Sequence, residues 1–208
     1  MAMPHEKIRY WSLVKDLEDQ LHIIRNAPDT LDDLSDTRNV LTAKLHDIHE
    51  HINSFLLDRD AYFALFALTA YCDEVIFRKT SSTNVMWSSL QMHLFNVSNA
   101  GDVYFDIINS FRGRYDIPGI VYETYMLTLV LGFEGRYAGS ASSIQRYKDE
   151  LSSFIKKEVV NQEGSTMEIK RKSSFRIPAI AYYSFMVLLI LFINRALQAS
   201  ADGYMDNL

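Results

Sequence analysis

AYFALFALTAYCDEVIF, Ala61 to Phe77, is apolar on almost every side of a helical wheel and carries two adjacent acids, Asp73 and Glu74, near its end. Periodicity of that kind belongs to a helix packed on all faces, so Asp60 to Phe77 reads as the central buried helix of a bundle. Outward from it the apolar residues keep helical spacing. Ile8, Trp11, Val14, Leu17, Leu21 and Ile24 form one stripe, ended by Pro28-Asp29. Leu41, Leu45, Ile48, Ile52 and Phe55 form a second, with Ser35 or Asp36 as N-cap. After the loop KTSSTN, residues Met86, Trp87, Leu90 and Leu94 predict a short helix broken near VSNAG. Val103, Ile107, Ile108 and Phe111 predict the next, terminated by RGRYDIPG. Val121 to Leu131 is a second strongly apolar helix, stopped at Gly132-Phe-Glu-Gly135, where glycines accept a left-handed cap. Ile144, Tyr147, Leu151, Phe154 and Ile155 mark a last helix, and no segment alternates like a strand. The expected class is all-α.

Composition agrees. Of 208 residues 48% are hydrophobic and 23% charged, with only four prolines and eight glycines, which suits long helices better than many short strands. The net charge is -5, but Lys170 to Leu208 holds five bases and two acids, so the preceding residues carry -8. An acidic domain is a poor nucleic-acid binder, because phosphate contacts need clustered Lys and Arg.

The other decisive stretch is IPAIAYYSFMVLLILFI, Ile177 to Ile193, 17 residues without a charge. At 1.5 Å per residue it covers about 26 Å, and continuing to Leu197 with Arg195 snorkelling outward completes a bilayer span. Pro178 suits a first helical turn, and Tyr182 lies near the interface, with Phe185, Leu188, Leu191 and Ile193 further in. Lys170, Arg171, Lys172 and Arg176 precede the run, and the tail beyond it has two acids and no base. The positive-inside rule places the basic side in the cytoplasm. The expected organisation is a cytoplasmic helical domain over 1–160, a polar and basic linker over 161–176, a membrane helix over 177–197 in contact with lipid, and a short outer tail over 198–208. The N-terminus, MAMPHEKIRYW, lacks the apolar run of a secretory signal.

Chemistry is sparse. His46, His49 and His51 cluster in HDIHEH, with His46 and His49 at i,i+3, but the i,i+4 pair with an intervening Glu of a zinc hydrolase is missing, so a solvated polar face is the reading. Asp73 and Glu74 are neighbours, and adjacent helical side chains diverge by about 100°, too far to converge on one reacting atom. One carboxylate is expected to pair with an Arg or to cap a following helix, since acids beside so apolar a segment are costly alone. Gly132-Phe-Glu-Gly135 lacks the Lys-Ser/Thr and the preceding strand of a phosphate loop. Cys72, the single cysteine, has no basic neighbour in sequence to activate it. No catalytic residue, metal site or cofactor is expected.

Three stretches together resemble one family. AYFALFALTAYCDEVIF is followed by Trp87 and LQMHLFN; GDVYFDIINSF runs from Gly101 to Phe111; YETYMLTLVLGFEGRY runs from Tyr122 to Tyr137. Over roughly Leu56 to Phe154 this order is similar to the DotU/IcmH/TssL family of type VI and type IVb secretion systems, LGFEGRY being its most specific piece. The resemblance implies a cytoplasmic bundle of about seven helices with one C-terminal span, and a non-catalytic structural role at the bacterial inner membrane. It also implies partners: a large inner-membrane subunit of the IcmF/TssM type, and cytoplasmic baseplate or sheath components. Asp73, Glu74, Trp87, Gly132, Phe133, Glu134, Gly135 and Tyr137 become the candidate organisers of the fold or of a partner surface. The loop RKTSSTN departs from the Pro-Trp-Gly-like turn of many relatives, and the short outer tail holds no peptidoglycan-binding domain. A homodimer through the span is a further option, although the span has no Gly-x-x-x-Gly and Ala179 to Tyr183 is only a faint small-residue face. The competing functions are a tail-anchored adaptor or chaperone unrelated to secretion and, from a third class, a small lipid-acting membrane enzyme, which the missing nucleophile and metal patterns disfavour.

Overall fold

The central helix, α3 (Asp58–Thr80), buries Ala64 through Asp73 without a break, because its neighbours cover it on every side. In the computed structural model, which describes residues 4–27, 34–81, 86–114 and 116–164, it packs against α1 (Pro4–Asn26), α2 (Leu34–Asn53), α4 (Leu90–Phe95), α5 (Ala100–Ser110) and α6 (Gly119–Val130). A 3₁₀ turn, Gly135–Tyr137, precedes α7 (Ala141–Gly164), which lies along α6. Among the described residues there are seven α-helices and no strand. They form one compact unit that ends at Gly164.

Contacts between helix ends give the directions. Arg59, at the start of α3, pairs with Asp116 just before α6 at 2.9 Å, while Glu74 meets Gly135 just after α6 at 2.8 Å. These helices therefore run side by side in the same sense. Lys7 pairs with Glu123 at 2.7 Å near the start of α1, and Lys79 Nζ donates to the Ala27 carbonyl at 2.6 Å beyond its end, so α1 runs the same way. Helix α2 returns: His51 Nε2 donates to the Glu6 carbonyl at 2.9 Å. Helix α7 also returns, with Tyr147 near Tyr137 at 5.5 Å between ring centroids and Phe154 near Tyr122 at 5.2 Å.

Apolar stripes explain the packing. On α1 the buried residues are Tyr10, Val14, Leu17, Leu21 and Ile24, and Leu41, Leu45, Ile48 and Ile52 answer them from α2. Each such side chain is worth about 1.5–3 kcal/mol when fully buried. Two expectations are corrected. Ile8 is 70% exposed, and Tyr10 takes its place at the head of the stripe, because spacing of three drifts off the face that the 4-3-4-3 series follows. Met86 and Trp87 precede α4 rather than forming its first turn, and Met86 is exposed.

The termination at Gly132 has the geometry of a Schellman motif. Gly132 N–H donates to the Leu129 carbonyl at 3.3 Å and Phe133 N–H to the Thr128 carbonyl at 2.9 Å, with Gly132 at φ +102°. Among the described residues no helix is long and apolar enough to cross a membrane. The expected span, from Ile177 and Pro178 through Tyr182, Phe185, Leu188, Leu191 and Ile193, lies outside the described residues, as do Lys170, Arg171, Lys172 and Arg176.

Candidate functional site

Asp73 and Glu74 occupy consecutive positions near the end of α3, and their carboxylates leave the helix toward different neighbours. Asp73 is 7% exposed. Its Oδ1 accepts from Trp87 Nε1 and from the Leu90 backbone N–H, and its Oδ2 accepts from the Gln91 N–H, each at 2.8 Å. Leu90 and Gln91 are the first residues of α4, whose N-cap residue Ser89 makes no side-chain capping bond. Asp73 therefore caps α4 from another helix, satisfying N–H groups that a helix start leaves open. This also accounts for the chain before α4: Trp87 is drawn to the carboxylate and cannot continue the helix backward. Burial raises the Asp73 pKa above its usual range, and the three donors with the nearby Arg38 charge pull it down only in part.

Glu74 does the equivalent for the turn after α6. Its Oε1 accepts from the Glu134 N–H at 2.9 Å and its Oε2 from the Gly135 N–H at 2.8 Å. Arg78, one helical turn on, pairs with Glu74 and reaches Glu134 at 3.0 Å. One carboxylate thus fixes two consecutive backbone groups of the LGFEGRY stretch, and its charge is balanced by an arginine on its own helix.

That turn is tightly seated. Gly135 has φ +48°, and a Cβ there would stand 2.9 Å from the Gly101 carbonyl oxygen and 3.1 Å from the Phe105 ring. A Cβ on Gly101 would in turn meet the Gly135 Cα at 3.2 Å. Two glycines from distant parts of the chain therefore let the start of α5 touch the turn backbone to backbone. Phe133 is buried against Tyr104, with ring centroids 4.2 Å apart, and Tyr137 stands edge-on to Phe105 at 4.7 Å. Arg136 lies over the Phe105 ring at 5.7 Å and bonds Asp106 at 2.8 Å. Gly101 and Phe105 belong in sequence to an ordinary helical stretch, and nothing in the local pattern marks their contact with Gly135.

Beside Glu74 lies a cavity of about 240 Å³, lined by Arg25, Tyr71, Val75, Lys79 and Leu131 among others. Arg25 donates to the Tyr71 hydroxyl at 2.9 Å and pairs with Glu18, and Tyr71 donates to Glu18 at 2.9 Å. Burial, with the Glu18 charge, pushes the Tyr71 phenol well above its ordinary range, so it stays a donor. This triad links α1 to α3 and was not anticipated, since its members stand 46 and 53 positions apart in two of the bonds.

The remaining reactive side chains are dispersed. Cys72 is fully buried and its thiol is pushed up by burial and by the charges of Asp73 and Glu18. His51 bonds the Glu6 backbone, His49 bonds Asn53 at 2.8 Å, and His46 is exposed, so the three histidines do not converge. Among the described residues no group of three or more His, Cys, Asp or Glu side chains is placed to hold a metal ion. Chemically, the acidic pair accepts hydrogen bonds and ties backbone segments together.

A family model described as "Type VI secretion system protein DotU" matches residues 11–198. No curated protein matches significantly. Among solved structures the chain is similar to DotU from Francisella novicida, at 24% identity and a TM-score of 0.61, covering 70% of this chain and 97% of that one. It is similar to the cytoplasmic domain of TssL from Acinetobacter baumannii, at 24% identity and a TM-score of 0.59, covering 70% and 98%. It is also similar to SciP/TssL from enteroaggregative Escherichia coli 042, at 17% identity and a TM-score of 0.55, covering 82% and 98%. At these identities the structural likeness speaks for the fold alone.

Proposed function

This chain belongs to the DotU family of type VI secretion system proteins, and from that premise we propose that it is a non-catalytic structural subunit of the secretion membrane complex. The observation that carries the reading is the family match over residues 11–198, which extends through the apolar run at 177–193 as well as the helical bundle. The proposed arrangement is a cytoplasmic bundle, a single span over 177–197 in the inner membrane and a periplasmic tail. The basic residues from Lys170 to Arg176 before the run, and the acidic tail after it, support that orientation. Its partners in this reading are a large inner-membrane subunit of the IcmF/TssM type and baseplate or sheath components in the cytoplasm. The family description favours a type VI over a type IVb system.

A scaffolding role also fits the acidic pair. Side chains that hold a short helix and a tight turn against the central helix make a rigid body, which is what a subunit that transmits load needs. The test is a tagged pull-down from detergent-solubilised membranes of the native bacterium, read by mass spectrometry. Stoichiometric recovery of a large membrane subunit with baseplate or sheath proteins is expected. Recovery of unrelated clients alone would overturn the secretion role in favour of a tail-anchored adaptor.

A further inference from the structure

Helix α4 starts at Asp73, whose carboxylate takes its first N–H groups, and ends with Phe95 against Phe66 and Tyr62, at 5.3 and 5.2 Å between ring centroids. It therefore runs against α3, as α2 does. Between α2 and α4 lies a groove of about 400 Å³. Buried Leu45 and Leu65 give it an apolar floor, and Leu94 of α4, 37% exposed, gives it one wall. Asn39, Thr42, Ala43, His46 and His49 form the other wall, along about 15 Å of α2. That wall carries two imidazoles and no carboxylate, and Met86 to Asn96, the stretch that supplies the α4 wall, contains no acid. Asp73, close by, is committed to three N–H donors. Asp47 points about 100° away from His46. Acids flank the lined stretch of α2 only at its ends: Asp36 precedes Asn39 by one turn, with Arg38 beside it, and Glu50 follows His46 by one turn. In a domain that is acidic as a whole, this is a surface on which a carboxylate meets hydrogen-bond donors and bases first.

We propose that the groove between α2 and α4 docks an amphipathic helix of a partner protein, with aliphatic side chains on its buried face and Asp or Glu beside them, facing Arg38, His46 and His49. Two helices over a shared apolar floor leave a furrow along their axes, the shape that receives a third helix. A helix also arrives with its own backbone bonds made, whereas an extended segment needs a sheet edge, and no strand occurs among the described residues. Aliphatic residues at i and i+3 or i+4 of the incoming helix would cover Leu45, Leu65 and Leu94, and carboxylates on its flank would meet the polar wall of α2. Every residue in the proposal belongs to the helical unit, so it stands apart from the anchored reading given above.

The test is photo-crosslinking in the native bacterium with the full chain. Benzoylphenylalanine is introduced in place of Ala43 on one wall, of Leu94 on the other, and of Ile23, exposed on α1, as a control. Peptides captured on irradiation are sequenced by mass spectrometry. The expected result is one segment of one protein captured from both 43 and 94 and not from 23, with aliphatic residues at i and i+3 or i+4 and a net negative charge. Asn39→Asp and Asn39→Lys then change the charge of an exposed wall position in opposite senses, with unchanged melting temperatures showing that both variants fold. Capture is expected to be several-fold weaker in Asn39→Asp than in Asn39→Lys. Equal capture in the two variants would overturn the proposal, and so would a captured segment of net positive charge, a second copy of this chain, or no capture from 43 and 94. An acidic amphipathic segment from a protein outside the secretion machinery would uphold the groove while overturning the secretion role.

Discussion

Replacing Asp73 by alanine removes the side chain that caps α4 and should detach that segment before it unfolds the bundle. Three donors lose their acceptor at once: Trp87 Nε1 and the N–H groups of Leu90 and Gln91. The bond to Leu90 is buried, and an unsatisfied buried donor costs about 1–3 kcal/mol. The other two donors are partly exposed and can be rehydrated, so each forfeits about 0.5–1.5 kcal/mol. Against this, removing a carboxylate whose pKa is raised by burial relieves part of its desolvation cost. The lost bonds together set a loss of roughly 2–6 kcal/mol, which the relieved desolvation brings toward the lower end. Helix α4 has six residues, far fewer than an isolated helix needs in water, so the effect should concentrate there. Urea unfolding of the detergent-solubilised chain gives the global figure, and amide hydrogen exchange gives the local one. Faster exchange over 86–96 with slower change elsewhere is expected. A loss below about 0.5 kcal/mol, with exchange over that segment unchanged, would refute the capping role.

Two further outcomes follow from the same region. Gly135→Ala should cost roughly 2–4 kcal/mol, because it places a Cβ on a left-handed residue and into the Gly101 backbone at once; a normal melting temperature would sink the close-approach account. Asp73→Asn tests the titration: a carboxyl raised above its ordinary 3.8 contributes stability that is fully present below that value and is lost as pH rises through the folded value. The asparagine variant lacks that loss, so its stability relative to wild type should rise with pH above 3.8, and a flat or falling difference in urea midpoints would contradict the sign.

Much of the helical order was legible because burial imposes a period. The apolar continuity of Ala61 to Phe77 marked the helix with most neighbours, and Gly132 marked the stop that its positive φ realises. The failures have physical causes as well. Trp87 has helical spacing to Leu90 and Leu94, yet a carboxylate distant in sequence claims its indole N–H and the first amides of α4, so tertiary bonding overrides the local pattern. Ile8 matches a spacing of three but lies off the buried face once Tyr10, whose hydroxyl bonds Thr124 at 2.7 Å, sets the register. The Gly101–Gly135 contact and the Glu18–Arg25–Tyr71 triad are pairings across the fold, and one sequence holds no periodic trace of them.

The acidic pair illustrates how a structural role constrains a binding one. An ionised carboxylate offers about four acceptor sites. Asp73 commits three of them to internal N–H donors, and Glu74 commits two to backbone N–H groups and faces Arg78 as well. A partner that bound these carboxylates directly would have to displace donors from α4 or from the turn at Glu134 and Gly135. Loss of a partner on mutation of either acid should therefore come with a measurable loosening of the segment that acid holds. Around Glu74 a partner can reach the outer side of Arg78, half exposed and already bridging to Glu134, and the cavity lined by Arg25, Tyr71 and Lys79. The two residues are better understood as fixing the shape of a surface than as forming its contact points.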